Sequence, residues 1–313
     1  MRSQFLVLIC SVIMASPSPA QRLGVPVQAE VISHDYTNQP VPQYAHGFLL
    51  AYDPASSQIW SYRNGSLKTH TIVAIPGVNS VRIRHVSCSP GGVLAASVVL
   101  SDPQLGYASV LVWIDSTGKI MRVVRTYPFA AGALAFSSDG TLWVLGRVRD
   151  RTYRDLPDYN ILRQYSADGV LLRTFLPKSS LLGTPAPGSG RIQIRDQQVL
   201  IYFEEDQIVL QLSTDGRIAG QWKLAGASEI MVTGAAISNS GNIILSGDVH
   251  SNAPASVSSG LYQLDKVSDR LIPLEMERVG LARDQYIMLL GGEADHLVLY
   301  VKPPRRLEWV PVE

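Results

Sequence analysis

The stretch "ALAFSSDGTLWVLG", residues 133–146, decides how the chain is read. It is apolar, then passes through Ser137-Ser138-Asp139-Gly140, then is apolar again. Gly140 can take a positive φ without a side-chain clash, and the Ser and Asp before it can bond nearby backbone amides, so the middle is a tight turn between two strands. Alternation assigns Ala133, Ala135, Leu142 and Val144 to one face of the pair. A helix is excluded because Gly, Asp and β-branched residues recur before an apolar stripe of period 3.6 can form.

The pattern repeats in both directions. Residues 160–175, "NILRQYSADGVLLRTF", supply a second hairpin, so that four strands fall within residues 133–175. Upstream lie "HVSCSPGGVLAASVV" (85–99) and "ASVLVWIDSTGKIMRVVRTY" (108–127), with turns at Pro90–Gly92 and Ser116–Gly118. Downstream come "RIQIRDQQVLIYFEEDQIVLQLSTDGRIAGQWKL" (191–224), then "GAAISNSGNIILSG" (234–247) with "GLYQLDKVSDRLIPLEM" (260–276). The ends give "GFLLAYDPASSQIWSYRNGSLKTHTI" (47–72), turning at Asn64-Gly65, and a last unit over residues 278–310.

Gly92 and Gly140, which close equivalent turns, are 48 residues apart, and Gly241 lies 101 beyond Gly140. Four strands per period of this size mark propeller blades. The predicted fold is therefore all-β: a six-bladed β-propeller with mostly four-stranded antiparallel blades, one domain over residues 21–313. "VPVQAEVIS" (25–33) is available as a strand that completes the last blade and latches the ring. On "ALAFSSDGTLWVLG", "LRQYSADGVLLRTF", "AAISNSGNIILSG" and "LQLSTDGRIAGQW", the chain resembles bacterial secreted six-bladed propellers of the broad NHL-repeat and YncE-like kind. That resemblance implies an architecture and no particular reaction, since such propellers include binding modules and some enzymes.

The first twenty residues, "MRSQFLVLICSVIMASPSPA", read as a secretory signal peptide. Arg2 precedes an apolar run from Phe5 to Ala15, and Ser18 and Ala20 suit cleavage after Ala20. The run is shorter than the roughly 20 residues of a stable span. A secreted or periplasmic location is expected, with no stable membrane span in the mature chain. Cleavage would remove Arg2 and leave 26 basic against 26 acidic side chains. That neutrality gives no support for nucleic-acid binding, which needs an excess of Lys and Arg against phosphates. Cys88 would be the one remaining cysteine, leaving no intramolecular disulfide and a packed thiol as the simplest role.

In a four-stranded blade, the connections between strands two and three share a face of the ring with the links between blades. Here these connections are uneven: "SDPQLGY" (101–107), "RVRDRTYRDLPDYN" (147–160), almost nothing in the fourth unit, and "GDVHSNAPASVSSG" (247–260). Uneven loops on one face of a rigid scaffold are where recognition is usually carried. In the third insertion, Arg147, Arg149, Arg151 and Arg154 interleave with Tyr153 and Tyr159. Guanidinium forks and flat aromatic area suit a protein or anionic ligand; the competing reading is that the loop's charges pair with Asp150, Asp155 and Asp158 in solvent. The candidate binding residues are Arg149, Arg151, Tyr153, Arg154, Tyr159, His250 and Asn252.

No catalytic constellation is legible, and no cofactor or metal is expected. The histidines at 34, 46, 70, 85, 250 and 296 have no metal-site spacing, although His85 is placed to face the channel. Asp139, Asp168 and Asp215 precede glycine, where a turn itself favours Asp. Glu30, Asn79, Asn160 and Asp248 could be chosen as a lactonase-like metal set only after the fact. The five tryptophans, Trp60, Trp113, Trp143, Trp222 and Trp309, fit packing between blades. The leading expectation is an exported, non-enzymatic recognition scaffold that binds a protein or extracellular polymer through its long-loop face. The alternative is a propeller hydrolase or lyase with a site at the channel mouth.

Overall fold

Each hairpin turn read from the sequence closes a pair of antiparallel strands in the computed structural model. The structure describes residues 23, 28–31, 42–102, 106–150, 152, 154–183, 185, 187, 190–224, 230–250, 257–276, 281, 285–293, 295–302 and 305–312; at 28–31, 102, 106, 250, 257 and 258 it describes the backbone alone. A leading strand, β1 (Gln28–Val31), precedes blade 1, which holds β2 (Gln43–Ala45), β3 (Phe48–Asp53), β4 (Gln58–Arg63) and β5 (Ser66–Ile72). Blade 2 holds β6 (Ser80–Cys88), β7 (Leu94–Asp102), β8 (Gly106–Ile114) and β9 (Ile120–Arg125). Blade 3 holds β10 (Phe129–Phe136), β11 (Leu142–Val148), β12 (Asn160–Tyr165) and β13 (Leu171–Pro177). Blade 4 holds β14 (Gly190–Arg195), β15 (Gln198–Phe203), β16 (Ile208–Ser213) and β17 (Ile218–Lys223). Blade 5 holds β18 (Ile230–Ile237), β19 (Ile243–His250), β20 (Val257–Asp265) and β21 (Arg270–Pro273). Blade 6 holds β22 (Tyr286–Glu293), β23 (His296–Lys302) and β24 (Arg306–Pro311).

The sixth blade takes its outermost strand from the other end of the chain. β1 pairs antiparallel with β24, from Gln28 opposite Trp309 to Val31 opposite Arg306. The protein is thus an all-β six-bladed propeller of four-stranded antiparallel sheets, latched by the segment that the sequence offered for that role. At the seam, Trp309 packs edge-on against Tyr44 of blade 1 with ring centroids 6.0 Å apart, and its Nε1 donates to the Tyr44 hydroxyl. Leu49, Met288, Leu290, Tyr300 and Leu307 are buried around this contact. Blade 1 also holds more than the sequence offered, because the short inner strand β2 precedes the quoted unit.

The opening stretch shows why the blades stack. The turn is closed by Gly140 N–H donating to the Ser137 carbonyl at 3.0 Å and Ser137 N–H donating to the Thr141 carbonyl at 2.9 Å, with Gly140 at φ +82°. The same pair of bonds recurs from Ser89 to Val93, Asp115 to Lys119, Ser166 to Val170, Ser213 to Arg217 and Ser238 to Asn242. This turn puts Phe136 opposite Leu142, so Ala135 faces Trp143 and Ala133 faces Leu145 across the ladder. The single-face grouping of Ala133, Ala135, Leu142 and Val144 is therefore wrong. Opposite residues share a face, and the register set by the turn separates the alanines from Leu142 and Val144. Both faces are buried: Ala133, Ala135, Trp143 and Leu145 meet blade 4, while Leu134, Phe136, Leu142 and Val144 meet blade 2.

Polar contacts lace the outer parts of neighbouring blades. Thr69 and Thr71 donate to the carbonyls of Ser116 and Gly118, so the last turn of blade 2 rests on β5. Four inner strands, β6, β10, β18 and β22, are bulged at Arg84, Gly132, Thr233 and Leu290. A bulge bends its strand and re-aims a side chain, and it recurs here where the strands surround the axis. Among the described residues no helix is long and apolar enough to cross a membrane.

Deleting residues 21–31 is expected to lower the chemical denaturation midpoint and to produce oligomers, because β24 would be left as an open edge. Denaturation and analytical ultracentrifugation check this; an unchanged midpoint in a monomer would contradict the latch.

Candidate functional site at the axial channel

The inner strands β2, β6, β10, β14, β18 and β22 surround a cavity of about 730 Å³ on the propeller axis. Each inner strand begins on the face where the chain arrives from the preceding blade, and each second strand ends there. The long connections therefore open on that face, around one end of the channel.

At this end the wall is basic. Arg84 lies at the β6 bulge, Arg147 near the end of β11, Arg149 just beyond it, and Arg191 near the start of β14; all four line the cavity. Burial lowers the pKa of Arg84, and the charges of Arg82, Arg147 and Arg149 lower it further. Arg191 reaches past blade 5, with Nη1 4.0 Å from Met288 Sδ of blade 6 and Nη2 3.5 Å from Glu204 Oε2. Its charge is felt by Tyr52 of blade 1, His85 of blade 2, Tyr202 of blade 4 and Tyr286 of blade 6. Burial raises the pKa of these three phenols, that of Tyr52 and Tyr286 to about 12, so they remain protonated. The Tyr52 hydroxyl donates to the Arg84 carbonyl at 2.6 Å and holds the bulge.

His85 lines the channel beside this cluster. The Leu134 backbone N–H donates to its Nδ1 at 3.2 Å, which leaves the ring proton on Nε2. Burial, then the positive charge of Arg191, pushes its pKa down to about 3, against a smaller opposing contribution from a backbone hydrogen bond with Val86. It is a neutral donor rather than a base near neutral pH.

The opposite end is braced by polar side chains. Arg195 donates to the Ile237 carbonyl at 2.7 Å and to Asn239, and Gln193 donates to the Leu290 carbonyl at 2.9 Å. His46 Nε2 lies 2.8 Å from the Phe136 carbonyl, and the Tyr44 hydroxyl donates to Glu293. These contacts join side chains of one blade to groups of another.

The third-blade insertion is a short hairpin. Arg149 bridges Asp155, and Leu156 N–H donates to the Val148 carbonyl at 3.0 Å. Its turn repeats a scaffold motif. Asp150 Oδ1 accepts from Thr152 and from Arg154 N–H as Asp115 Oδ1 does from Thr117 and Lys119 N–H. Asp155 lies 3.3 Å from Arg149 Nε and 3.7 Å from Arg147 Nη1, while Asp158 accepts from Ser179. The loop's acids are thus engaged by backbone, hydroxyl or arginine partners.

Of the candidate binding residues, Arg149 reaches the channel and Arg154 is exposed on the hairpin. Tyr159 is half-buried against the core between blades 3 and 4, and Lys178 Nζ lies 5.7 Å from its ring centre. His250 ends β19 opposite Val257, with its side chain outside the description. Arg151, Tyr153 and Asn252 lie outside the described residues. Much of "SDPQLGY" and "GDVHSNAPASVSSG" is strand, lengthening β7, β8, β19 and β20. Arg84 and Arg191 were missed as site residues. Their signal was a charged residue in an inner strand whose counterparts elsewhere are mostly small or apolar.

Among the described residues no group of three His, Cys, Asp or Glu side chains could hold a metal ion. Among the described side chains, Asn79, Asn160 and Asp248 do not line the channel, and that of Glu30 lies outside the description; Asp248 is buried and accepts from Ser259. Asp139 and Asp215 cap their own turns, accepting from Thr141 N–H and Arg217 N–H. Cys88 is buried in the core between blades 1 and 2, and burial pushes its pKa up to about 12.

No protein-family model matches the chain, and no curated protein matches it in sequence. Solved structures share the fold at low identity. A protein of unknown function from Dyadobacter fermentans is 10% identical with a TM-score of 0.56, covering 92% of this chain and 99% of that one. A Bacteroides fragilis protein is 13% identical with a TM-score of 0.51, covering 94% and 95%. A luciferin-regenerating enzyme is 13% identical with a TM-score of 0.51, covering 92% and 95%. These identities establish the fold alone.

His85 gives the site a pH signature. Its pKa is about 3 when folded and about 6.5 when unfolded, so between these values the unfolded chain binds more protons. Its stabilising effect is full above pH 6.5 and is lost as the pH falls towards 3. Denaturation midpoints between pH 3 and 7 should fall less steeply for His85→Gln than for the parent; equal slopes would place the His85 pKa elsewhere.

Proposed function

We propose that the protein is an exported recognition scaffold, not an enzyme, that binds a protein or extracellular polymer through its long-loop face. The observation that carries this reading is the convergence of Arg84, Arg147, Arg149 and Arg191 from three blades at the channel end on that face. A hydrolase or lyase at the same mouth calls for converging carboxylates or histidines, and the described residues offer arginine and the protonated Tyr52 and Tyr202 instead. Export rests on the basic, apolar and small-residue order of residues 1–20, and the resemblance to secreted NHL-repeat and YncE-like propellers agrees with it.

Arg149 lines the channel at the base of the third-blade hairpin, and Arg151, Tyr153 and Arg154 follow it in the sequence. Arginine and tyrosine supply directional and stacking contacts with little loss of side-chain freedom. In the sequence, His250 ends β19 and Asn252 falls in the connection between β19 and β20 of blade 5.

Exported proteins captured with the mature chain as bait provide the partner. Replacing Arg151 and Tyr153 together by Ala should weaken capture at least tenfold while shifting unfolding free energy by about 0.5 kcal/mol or less. Undiminished capture by the folded double variant removes the hairpin from the site. A large loss of stability makes it a charged brace instead.

A further inference from the structure

We propose that the long-loop end of the channel seats a doubly charged oxyanionic group of the bound partner, a phosphate or a pair of carboxylates, between Arg84 and Arg191. This rests on the reading of that face as the recognition surface and adds the chemistry that it selects.

Charge balance is the first argument. Four guanidiniums line this end, and the ion-pair partners among the described residues are Asp155, shared by Arg147 and Arg149, and Glu204 beside Arg191. Two positive charges are left uncompensated, and Arg84 has no carboxylate within ion-pair distance among the described residues. Elsewhere on the channel, Arg195 lies 4.0 Å from the Asp196 carboxylate, and Glu293 adds a second negative charge. The excess positive charge is therefore confined to one end.

Accessibility is the second. The side chains of Arg191 and Glu204 are 40% and 36% exposed, at 3.5 Å, a geometry worth little in water. A dianion can displace Glu204 from Arg191 at small cost and gain charge-assisted hydrogen bonds from a planar fork. Repulsion among Arg82, Arg84, Arg147 and Arg149 is relieved at the same time.

Shape and donors supply the third. The cavity is large enough for such a group with part of its carrier, and Ala130, Ala131 and Gly132 of blade 3 line it between the blades that carry Arg84 and Arg191, with little side-chain bulk. The Tyr52 hydroxyl, by donating to the Arg84 carbonyl, holds the bulge that presents Arg84, and neutral His85 lines the cavity beside it. Phosphate and dicarboxylate share this chemistry, and the two carriers are separated by direct titration.

Isothermal titration of the mature chain with inorganic phosphate, sulfate and malonate, and with acetate as a single charge, tests the proposal. Saturable binding of a dianion, at least tenfold tighter than acetate, is expected. Preference for phosphate and sulfate, or for malonate, identifies the carrier. Arg84→Gln and Arg191→Gln should each weaken binding at least tenfold. Arg191→Lys, which keeps the charge and the packing length, should retain part of it, and Arg217→Gln on an outer turn should leave it unchanged. Unfolding curves confirm that each variant is folded. No saturable dianion binding by the parent, or equal affinity in the folded Arg84 and Arg191 variants, overturns the proposal. If partner capture still depends on Arg151 and Tyr153, the anion seat alone falls; if dianions bind while capture ignores that hairpin, the hairpin reading alone falls.

Discussion

The pairing of β1 with β24 is the constraint on which the rest depends. It is a short ladder, but it ties the two ends of the chain into one blade and holds blade 6 against blade 1. The seam it closes is packed by Trp309 on Tyr44 and by buried Leu49, Met288 and Leu307. Without that closure two blades would each present an apolar face to water, and the inner strands would no longer surround an axis. The channel is a product of closure: its wall takes residues from all six blades, including Tyr44 from the first and Leu289 to Glu293 from the last.

Closure also explains why the two channel ends differ. At the short-turn end, Arg195, Gln193, His46 and Tyr44 bond carbonyls or side chains of other blades, so polar groups there brace the ring. At the long-loop end, Arg191 reaches past blade 5 to blade 6, and its carboxylate partner among the described residues, Glu204, is 36% exposed. The same residue type thus braces at one end and remains available at the other. Arginine suits both tasks because its fork can be saturated by carbonyls or offered to an oxyanion.

The repeated turns carried most of the fold in the sequence. Ser or Asp followed by Gly at a fixed offset states a hairpin locally, and spacing near fifty residues then states a blade, since both depend on nearby atoms. Face assignment was less legible. The alternation at Ala133, Ala135, Leu142 and Val144 did not specify which residues sit opposite one another, and burial on both faces removed the polar signal that would have separated them. The three-residue β2 was too short for periodicity to mark. For the site, the third insertion drew attention through its density of Arg and Tyr, and Arg149 does reach the channel. Arg84 and Arg191 were harder to recognise because each is one charge inside an ordinary strand. Their placement on one channel depends on ring closure and on the β6 bulge, neither of which nearby sequence states.

Diffraction from crystals of the mature chain soaked in tungstate tests the central claim most directly, because a heavy dianion reports its own position. An anomalous peak at the long-loop end of the channel, within about 4 Å of the guanidiniums of Arg84 and Arg191, is the outcome expected of charge-assisted contacts. A channel empty of anomalous density, or a peak at the short-turn end beside Arg195, would contradict it.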